Sequence, residues 1–255
     1  MNLTEKIGQR FITSSRVSGS AILLFLQAIP HLSCAWAKRR EVAKQMFLCG
    51  IGGFPVTALT AIFTGMVLAL QSGIELSRYN QQENIGILVA AAMVREMGPV
   101  MTAIILAGLI GSSMAAELGT MSVSEEIDAL EVMSINPVRF LVMPRILALT
   151  VMCPTLTIFT NLIGIAGGAV IGQSLLGVDY HIYYDKARFA LELKDIYSGL
   201  FKSTVFGALI ATIATSEGLR TTNGAEGVGR ATMRTVVLSF LFILIFDYFL
   251  TWIFY

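Results

Sequence analysis

The sequence predicts an all-α integral membrane protein with five transmembrane helices, an N-terminal helix at the membrane interface and a short cytoplasmic helix between two spans. Three observations predict this fold class. The first is composition: of 255 residues, 55% are hydrophobic and 14% are charged, against about 45–50% and about 25% in soluble domains. The second is a set of five long apolar runs. The third is the uneven distribution of Lys and Arg among the segments that join them.

Charge and cysteine content exclude several other classes of protein. The 18 basic and 17 acidic residues leave a net charge of +1, so the chain lacks the basic excess typical of nucleic-acid-binding proteins. Its mean hydropathy of +0.72 is far from the range of disordered chains. Cys34, Cys49 and Cys153 form no CxxC motif, so we expect neither a metal site nor a disulfide framework.

The N-terminal region differs from the rest of the chain. Residues 17–36 are less apolar than the runs that follow, and Pro30 interrupts them, which favours a helix lying in the membrane interface over one that spans. We therefore divide the chain into a cytoplasmic and interfacial region, residues 1–47, and a single transmembrane domain, residues 48–255.

A helix needs about 20 apolar residues to cross roughly 30 Å of hydrocarbon. The runs that meet this requirement are residues 48–71, 85–116, 145–176, 204–216 with their flanks, and 236–255. With the N-terminus inside, 12 of the Lys and Arg residues lie on the inner side and 6 on the outer side. Because inner segments of membrane proteins are enriched in Lys and Arg, the C-terminus is predicted outside. There Tyr248, Trp252 and Tyr255 would form an aromatic belt.

Small residues recur at helical spacing within the spans. Gly164, Gly168 and Gly172 are four residues apart, a pattern that lets helix backbones approach closely in lipid. The pattern fits packing within one chain or a seam between two copies.

Motifs for catalysis are absent from the sequence. It contains no HExxH, GxSxG or GxxxxGK[ST] pattern, so we predict no enzyme, no metal and no cofactor, with any ATP hydrolysis carried out by another chain.

Charged residues inside the second run are the sharpest functional signal. Arg95 and Glu96 precede Gly98-Pro99, which we expect to break the helix. A charge deep in a bilayer costs at least about 2.5–3.5 kcal/mol, so such residues indicate a functional site. Adjacent helical residues diverge by about 100°, so one would contact a lipid headgroup or second subunit and the other local backbone. Alternatively, residues 85–94 lie outside the membrane and the pair sits at the water boundary.

Other charges in and beside the later spans suggest further sites. Asp247 lies in the last span, and we expect a structural ion pair with Lys202 at the same outer level. Glu217 is expected at the membrane interface. Arg230 and Arg234 share a helical face close to the predicted position of lipid phosphates.

An acidic segment between the second and third runs predicts an amphipathic helix. Ser122 and Glu125 have the spacing of a capping box, and Val123, Ile127 and Leu130 share a face. The acidic residues are Glu125, Glu126, Asp128 and Glu131. Such a helix on the inner face fits a docking element for a cytoplasmic partner, or a solvated loop.

Several motifs in order resemble the MlaE (YrbE-type) permeases of Mla/MCE lipid ABC transporters. They are GMVLALQ at 65–71, VREMGPV at 94–100, AELG at 116–119, SEEIDALE at 124–131, Asn136-Pro137, and GRATMRTVV at 229–237.

The resemblance implies a homodimeric inner-membrane permease that moves phospholipid to or from an MCE-domain periplasmic carrier and contributes to outer-membrane lipid asymmetry. A separate ATPase would drive it, often with a small STAS-domain subunit. The acidic helix, including Leu130, would couple to the ATPase. Residues matching lipid-facing positions of the family are Leu68, Leu76, Tyr79, Arg95 and Glu96. Glu75 departs from the apolar residue that the family has at its position.

A different class of function is also compatible with the charges in the spans. In this alternative, a self-sufficient ion- or proton-coupled transporter or channel would use Arg95, Glu96 and Asp247 as its path. Flux without ATP would distinguish it from the ABC permease.

Overall fold

The protein is described by a computed structural model covering residue 19, residues 23–28, residue 30 and residues 38–255. Most of the interfacial helix predicted over residues 17–36 lies outside the described residues. Residues 23–28, which are described, are helical. Within the described part of the chain there is no β-strand.

Five helices in the described residues are long and apolar enough to cross a membrane, which confirms the predicted fold class. They are α1 (Arg39–Ser77), α2 (Gln82–Val123), α4 (Val138–Leu176), α6 (Leu193–Leu219) and α7 (Gly224–Phe254). Each extends beyond its predicted apolar run at one end or both, because hydropathy marks the part suited to hydrocarbon and a helix can continue into polar surroundings. Two shorter helices, α3 (Glu126–Val132) and α5 (Tyr180–Ala190), lie between spans.

Consecutive spans run in opposite directions, so the molecule has two ends. The α5 end contains the ends of α1 and α4, the beginnings of α2 and α6, all of α5, and the end of α7 with Tyr255. The α3 end contains the beginnings of α1, α4 and α7, all of α3, and the ends of α2 and α6.

Glycines bring α1 and α4 into backbone contact. A Cβ atom at Gly65 would collide with the carbonyl oxygen of Gly164, and one at Gly167 would lie 2.7 Å from the carbonyl oxygen of Ile62. Gly168 and Gly172 lie against Tyr183 of α5. The glycine repeat therefore packs elements of one chain against each other, as the first of the two interpretations expected.

The break expected at Gly98-Pro99 does not occur. α2 instead continues through a π-helical segment, Met93–Met97, directly before Gly98. Pro99 has no N–H to donate to the carbonyl of Arg95, four residues earlier. Lys202 Nζ donates to that carbonyl at 3.2 Å, so a side chain from α6 replaces the missing backbone donor.

Two clusters of buried apolar residues hold the bundle together. One surrounds the middle of α6 and includes Phe206, Ile210 and Ile243. The other joins α1, α4 and α5 to the first turns of α2. Within it the buried Tyr183 of α5 donates to the carbonyl of Ile165 of α4 at 3.1 Å. Burial raises the pKa of the Tyr183 phenol, so it remains a neutral donor that fixes α5 to α4.

Candidate functional site

Arg95 lies at the α5 end and forms an ion pair with a residue of α6. Its Nη2 donates to Asp195 Oδ2 at 3.0 Å, and its Nε lies 2.9 Å from Asp195 Oδ1 without the alignment of a hydrogen bond. The Asp195 side chain is 2% exposed, whereas the Arg95 side chain is 39% exposed. The carboxylate is therefore internal, and the cation reaches the surface.

Asp195 is held in place by its own helix and by the residue that follows α7. It accepts the backbone N–H of Glu192 at 3.3 Å in a reciprocal cap of α6. Tyr255 Oη donates to Asp195 Oδ1 at 2.6 Å, and its ring lies 5.2 Å from Arg95 Cζ. Burial and this hydrogen bond raise the pKa of Tyr255, so the phenol keeps its proton at neutral pH.

Glu96 is bound by Lys202, which is fully buried. Lys202 Nζ lies 2.8 Å from both Glu96 carboxylate oxygens, 2.7 Å from Thr251 Oγ1 and 3.2 Å from Asp247 Oδ1. The structure thus brings Lys202 and Asp247 together and adds Glu96 to them. The expectation that one of the Arg95-Glu96 pair rests on local backbone is wrong, because the two side chains reach separate partners on α6.

We call Arg95, Glu96, Asp195, Lys202, Asp247, Thr251 and Tyr255 the charged cluster. It ties together α2, α6 and α7. A buried charge that loses its partner costs about 3–5 kcal/mol, so these contacts constrain how the three spans can move relative to one another.

The ends of α6 and α7 indicate how deep in the membrane the charged cluster lies. Asp195 is in the first turn of α6, and Tyr255 follows the last helical residue of α7. Lys202 is about two helical turns further in than Asp195. α6 has 27 residues and is about 40 Å long, longer than the roughly 30 Å hydrocarbon layer. This favours a position for Arg95 at the boundary between membrane and water, and a position for Lys202 within the hydrocarbon layer.

The other lipid-facing positions implied by the family resemblance lie on or just after α1. Leu68 and Leu76 are partly buried and pack against the cluster that includes Met93 and Val94. Tyr79 follows α1 and is 75% exposed. These three therefore have a different environment from Arg95 and Glu96, whose partners are on α6 and α7.

Two exposed charges near Tyr79 form a pair of their own. Glu75, the residue that departs from the family pattern, lies 3.3 Å from Arg78, and such exposed pairs add little stability.

The acidic segment at the α3 end differs from its prediction at its beginning. Ser122 and Val123 belong to α2, and Ser122 Oγ lies 3.1 Å from the carbonyl of Thr221. The capping box is therefore absent, because the Ser122 hydroxyl joins α2 to the α6–α7 connection. Glu125 has a φ of 59° and α3 begins at the next residue.

The acidic side chains themselves face outward. Glu125, Glu126, Asp128 and Glu131 are exposed, and Leu130 is partly buried. Beside them lies an open cleft of about 600 Å³, lined among others by Ile127, Ile135, Pro137 and Leu219. Asp128 and Glu131 also line this cleft, so the segment presents negative charge around a cleft with a mixed polar and apolar lining.

Other charges at this end include both buried and exposed side chains. Arg145 Nη2 donates to Glu117 Oε2 at 3.0 Å, and Glu217 is 8% exposed, more buried than an interfacial position predicts. Arg230 pairs with Glu226 at 3.3 Å, and Arg234 is exposed. Arg145 and Glu117 stand at facing ends of consecutive apolar runs, a signal that could have identified their pair.

Sequence reasoning missed Asp195 and Thr251 and assigned Tyr255 only to the aromatic belt. Asp195 lies in a polar segment, and nothing local indicates contact with Arg95 100 residues away. Within the described residues, no group of three His, Cys, Asp or Glu side chains could hold a metal ion.

Comparisons with known proteins agree with this architecture. The sequence model of the family described as Permease MlaE matches residues 42–253. A probable ABC transporter permease protein from Synechocystis sp. is 39% identical over 234 residues, covering 92% of this chain and 89% of that protein. One from Rickettsia felis is 36% identical over 255 residues, covering 100% and 98%.

A plant protein is also similar. Protein TRIGALACTOSYLDIACYLGLYCEROL 1, chloroplastic, from Arabidopsis thaliana is 38% identical over 239 residues, covering 94% of this chain and 66% of that protein. Since the family model spans most of the chain and these relatives match it at 36–39% identity, the protein belongs to the MlaE permease family and is a multi-pass transmembrane permease subunit.

Proposed function

We propose that this permease moves phospholipid between the bacterial inner membrane and an MCE-domain periplasmic carrier, contributing to outer-membrane lipid homeostasis. The observation that carries the proposal is Arg95, a partly exposed cation held by a buried carboxylate where α6 begins and α7 ends. An amphiphile needs an apolar wall beside such a cation. The name of the Arabidopsis relative contains that of a diacylglycerol lipid, which supports a lipid as the transported molecule.

In this proposal the headgroup and the acyl chains of the lipid contact different regions of the protein. The guanidinium of Arg95 binds the headgroup phosphate, since a guanidinium matches phosphate oxygens in geometry and charge. Glu96 helps to hold the headgroup end of the site in place. Leu68, Leu76 and Tyr79 contact the lipid from α1, and Arg234 binds lipid phosphate at the α3 end. Exposed apolar residues of α1 such as Phe63 and Val67 extend the apolar wall.

The proposed assembly contains two copies of this chain. The exposed apolar faces of α1 and α7 supply surface for both a second copy and lipid. A cytoplasmic ATPase hydrolyses ATP, so the permease itself is not catalytic, and a STAS-domain subunit can accompany it. The coupling helix against the ATPase is α3 with the residue before it, through Glu125, Glu126, Asp128, Leu130 and Glu131.

The same proposal fixes the orientation of the chain. The N-terminus and the α3 end are cytoplasmic, and the C-terminus with the α5 end is periplasmic. We retain residues 1–47 as the N-terminal region and residues 48–255 as the permease domain, although α1 passes through that boundary without interruption.

Copurification tests the proposal directly. The tagged chain, co-expressed with its candidate ATPase and extracted in mild detergent, should retain both the ATPase and phospholipid when analysed by native mass spectrometry. Absence of both from folded protein would contradict the proposal.

Variants then locate the lipid. Arg95→Ala should lower phospholipid occupancy roughly tenfold, as expected for loss of a charge-assisted hydrogen bond, while expression falls less. Arg78→Ala is the matched control, because Arg78 is an exposed arginine paired with Glu75 near the same end. Equal loss of lipid and expression in Arg95→Ala would indicate a structural role instead.

The ion- or proton-coupled transporter remains the second candidate because the buried Lys202 and the partly buried Glu96 and Asp247 form an ionic group. Phe206, Ile210 and Ile243, all fully buried in one apolar cluster, lie further along α6 and α7 toward the α3 end. The similarity of the chain to probable ABC transporter permeases favours the ABC permease over this candidate. ATP-independent proton flux in liposomes containing only this chain would reverse that preference.

A further inference from the structure

Arg95 is held on two sides by side chains from other parts of the bundle. Asp195 of α6 binds one edge of the guanidinium at 3.0 Å, and the Tyr255 ring lies 5.2 Å from its central carbon. Tyr255 also donates to Asp195 at 2.6 Å. Each of the three residues therefore restrains the other two, and the guanidinium has a defined orientation before any ligand arrives.

Exposure separates the roles of the two charged residues. The Asp195 side chain is 2% exposed and cannot meet a ligand, while the Arg95 side chain is 39% exposed and can. A guanidinium has five N–H donors in a planar fork, so a carboxylate on one edge leaves donors on the other. Asp195 can thus influence a ligand only through Arg95, by orienting its donors and offsetting its charge.

We propose that Asp195 and Tyr255 are positioning residues for Arg95, and that Asp195 also sets the headgroup preference of the site. This inference rests on the proposed lipid function. A guanidinium paired with a buried carboxylate binds a headgroup phosphate through directed hydrogen bonds while adding little net positive charge. Lys194, whose Nζ lies 5.1 Å from the Tyr255 ring, is common to all the variants below. The pair itself therefore adds little preference for anionic over zwitterionic phospholipid, whereas an unpaired arginine would favour the anionic one.

Two substitutions separate charge from position. Asp195→Asn keeps the size of the side chain and removes the negative charge. It retains one oxygen, which can accept the Tyr255 hydroxyl or the Glu192 N–H, two donors that bind different oxygens of Asp195. Tyr255→Phe keeps the ring over Arg95 and removes the hydroxyl that holds Asp195. Tyr197→Phe is the matched control, because Tyr197 lies on the same end of α6 and is 70% exposed.

The experiment uses the full chain purified with its ATPase and incubated with equal amounts of phosphatidylglycerol and phosphatidylcholine. Native mass spectrometry counts each bound lipid, and thermal unfolding checks the fold. Asp195→Asn should raise the ratio of bound phosphatidylglycerol to phosphatidylcholine by about threefold to tenfold. Tyr255→Phe should lower both occupancies about twofold to fivefold with the ratio unchanged, and Tyr197→Phe should match the wild type.

The results distinguish a failure of this inference from a failure of the proposed lipid function on which it rests. A wild-type chain that binds neither lipid would contradict the proposed function. If the wild type binds lipid and the folded Asp195→Asn variant keeps the wild-type ratio of the two lipids, the role of Asp195 in headgroup preference is overturned. This holds even if the variant binds less of both lipids. If Asp195→Asn does not fold, Tyr255→Phe decides the positioning role, and wild-type occupancy of both lipids would overturn it.

Discussion

The two ends of the bundle both concentrate charge but place it in opposite environments. At the α5 end, Lys202 is fully buried among Glu96, Asp247 and Thr251. At the α3 end, Glu125, Glu126, Asp128 and Glu131 face outward. Buried charges must find partners within the chain because desolvation is costly. Exposed charges need none, so their negative potential is available to another protein.

The contrast teaches that a charge in the sequence has a meaning set by its surroundings. In the charged cluster, the contacts join spans and make them move together. In α3, exposed acidic side chains contribute little to the stability of the fold. Substitutions at the two ends should therefore separate stability from coupling.

Lys202→Met should give the largest effect. The substitution removes the cation between Glu96 and Asp247 and leaves two partly buried carboxylates without it, so we expect a loss of about 3 kcal/mol in the free energy of unfolding. Thermal unfolding of the detergent-solubilised protein measures this. Arg188→Ala, on the exposed side of α5, is the control and should change stability by less than about 0.5 kcal/mol. A Lys202→Met protein as stable as the control would show that the cluster does not hold the spans.

Glu96→Gln should have an intermediate effect. The amide retains an oxygen that can accept from Lys202, but it loses the charge and one of two acceptors. The expected loss is about 1.5–3 kcal/mol, again measured by unfolding. Glu75→Gln is the comparison, because Glu75 makes only an exposed pair with Arg78. Equal losses in the two variants would remove the distinction between buried and exposed charge on which the comparison rests.

Tyr183→Phe should have a smaller effect. It deletes one buried hydrogen bond, to the carbonyl of Ile165 at 3.1 Å, while keeping the ring in its apolar site. We expect a loss of about 1 kcal/mol, with faster hydrogen exchange confined to α5. Tyr184→Phe, at a neighbouring exposed residue, should show neither change. Exchange that rises equally throughout the bundle would contradict a local anchoring role.

These differences also explain what the sequence could predict. Apolar length alone located the five spans, since hydrocarbon thickness fixes that length. Charges within those spans identified Arg95, Glu96 and Asp247, because desolvation makes them rare. Sequence could not reveal that Asp195 and Tyr255 contact Arg95, since those contacts depend on how α2, α6 and α7 align. It also misplaced Ser122, whose hydroxyl bonds across the bundle to Thr221 and does not cap α3.

The joint substitution Glu125→Lys and Glu131→Lys should have the smallest effect on stability and a large effect on function. Both side chains are exposed, so the free energy of unfolding should change by less than about 0.5 kcal/mol. Reversing two charges on the proposed coupling helix should nevertheless weaken its contact with the ATPase, because like charges placed across an interface cost several kcal/mol. ATPase activity of the reconstituted complex should then no longer respond to lipid transport. Glu83→Lys, which reverses one acidic residue at the α5 end, should leave that response intact. Unchanged coupling in the double variant would show that the acidic helix is only a solvated connection, and the two ends of the molecule would then differ in burial without differing in function.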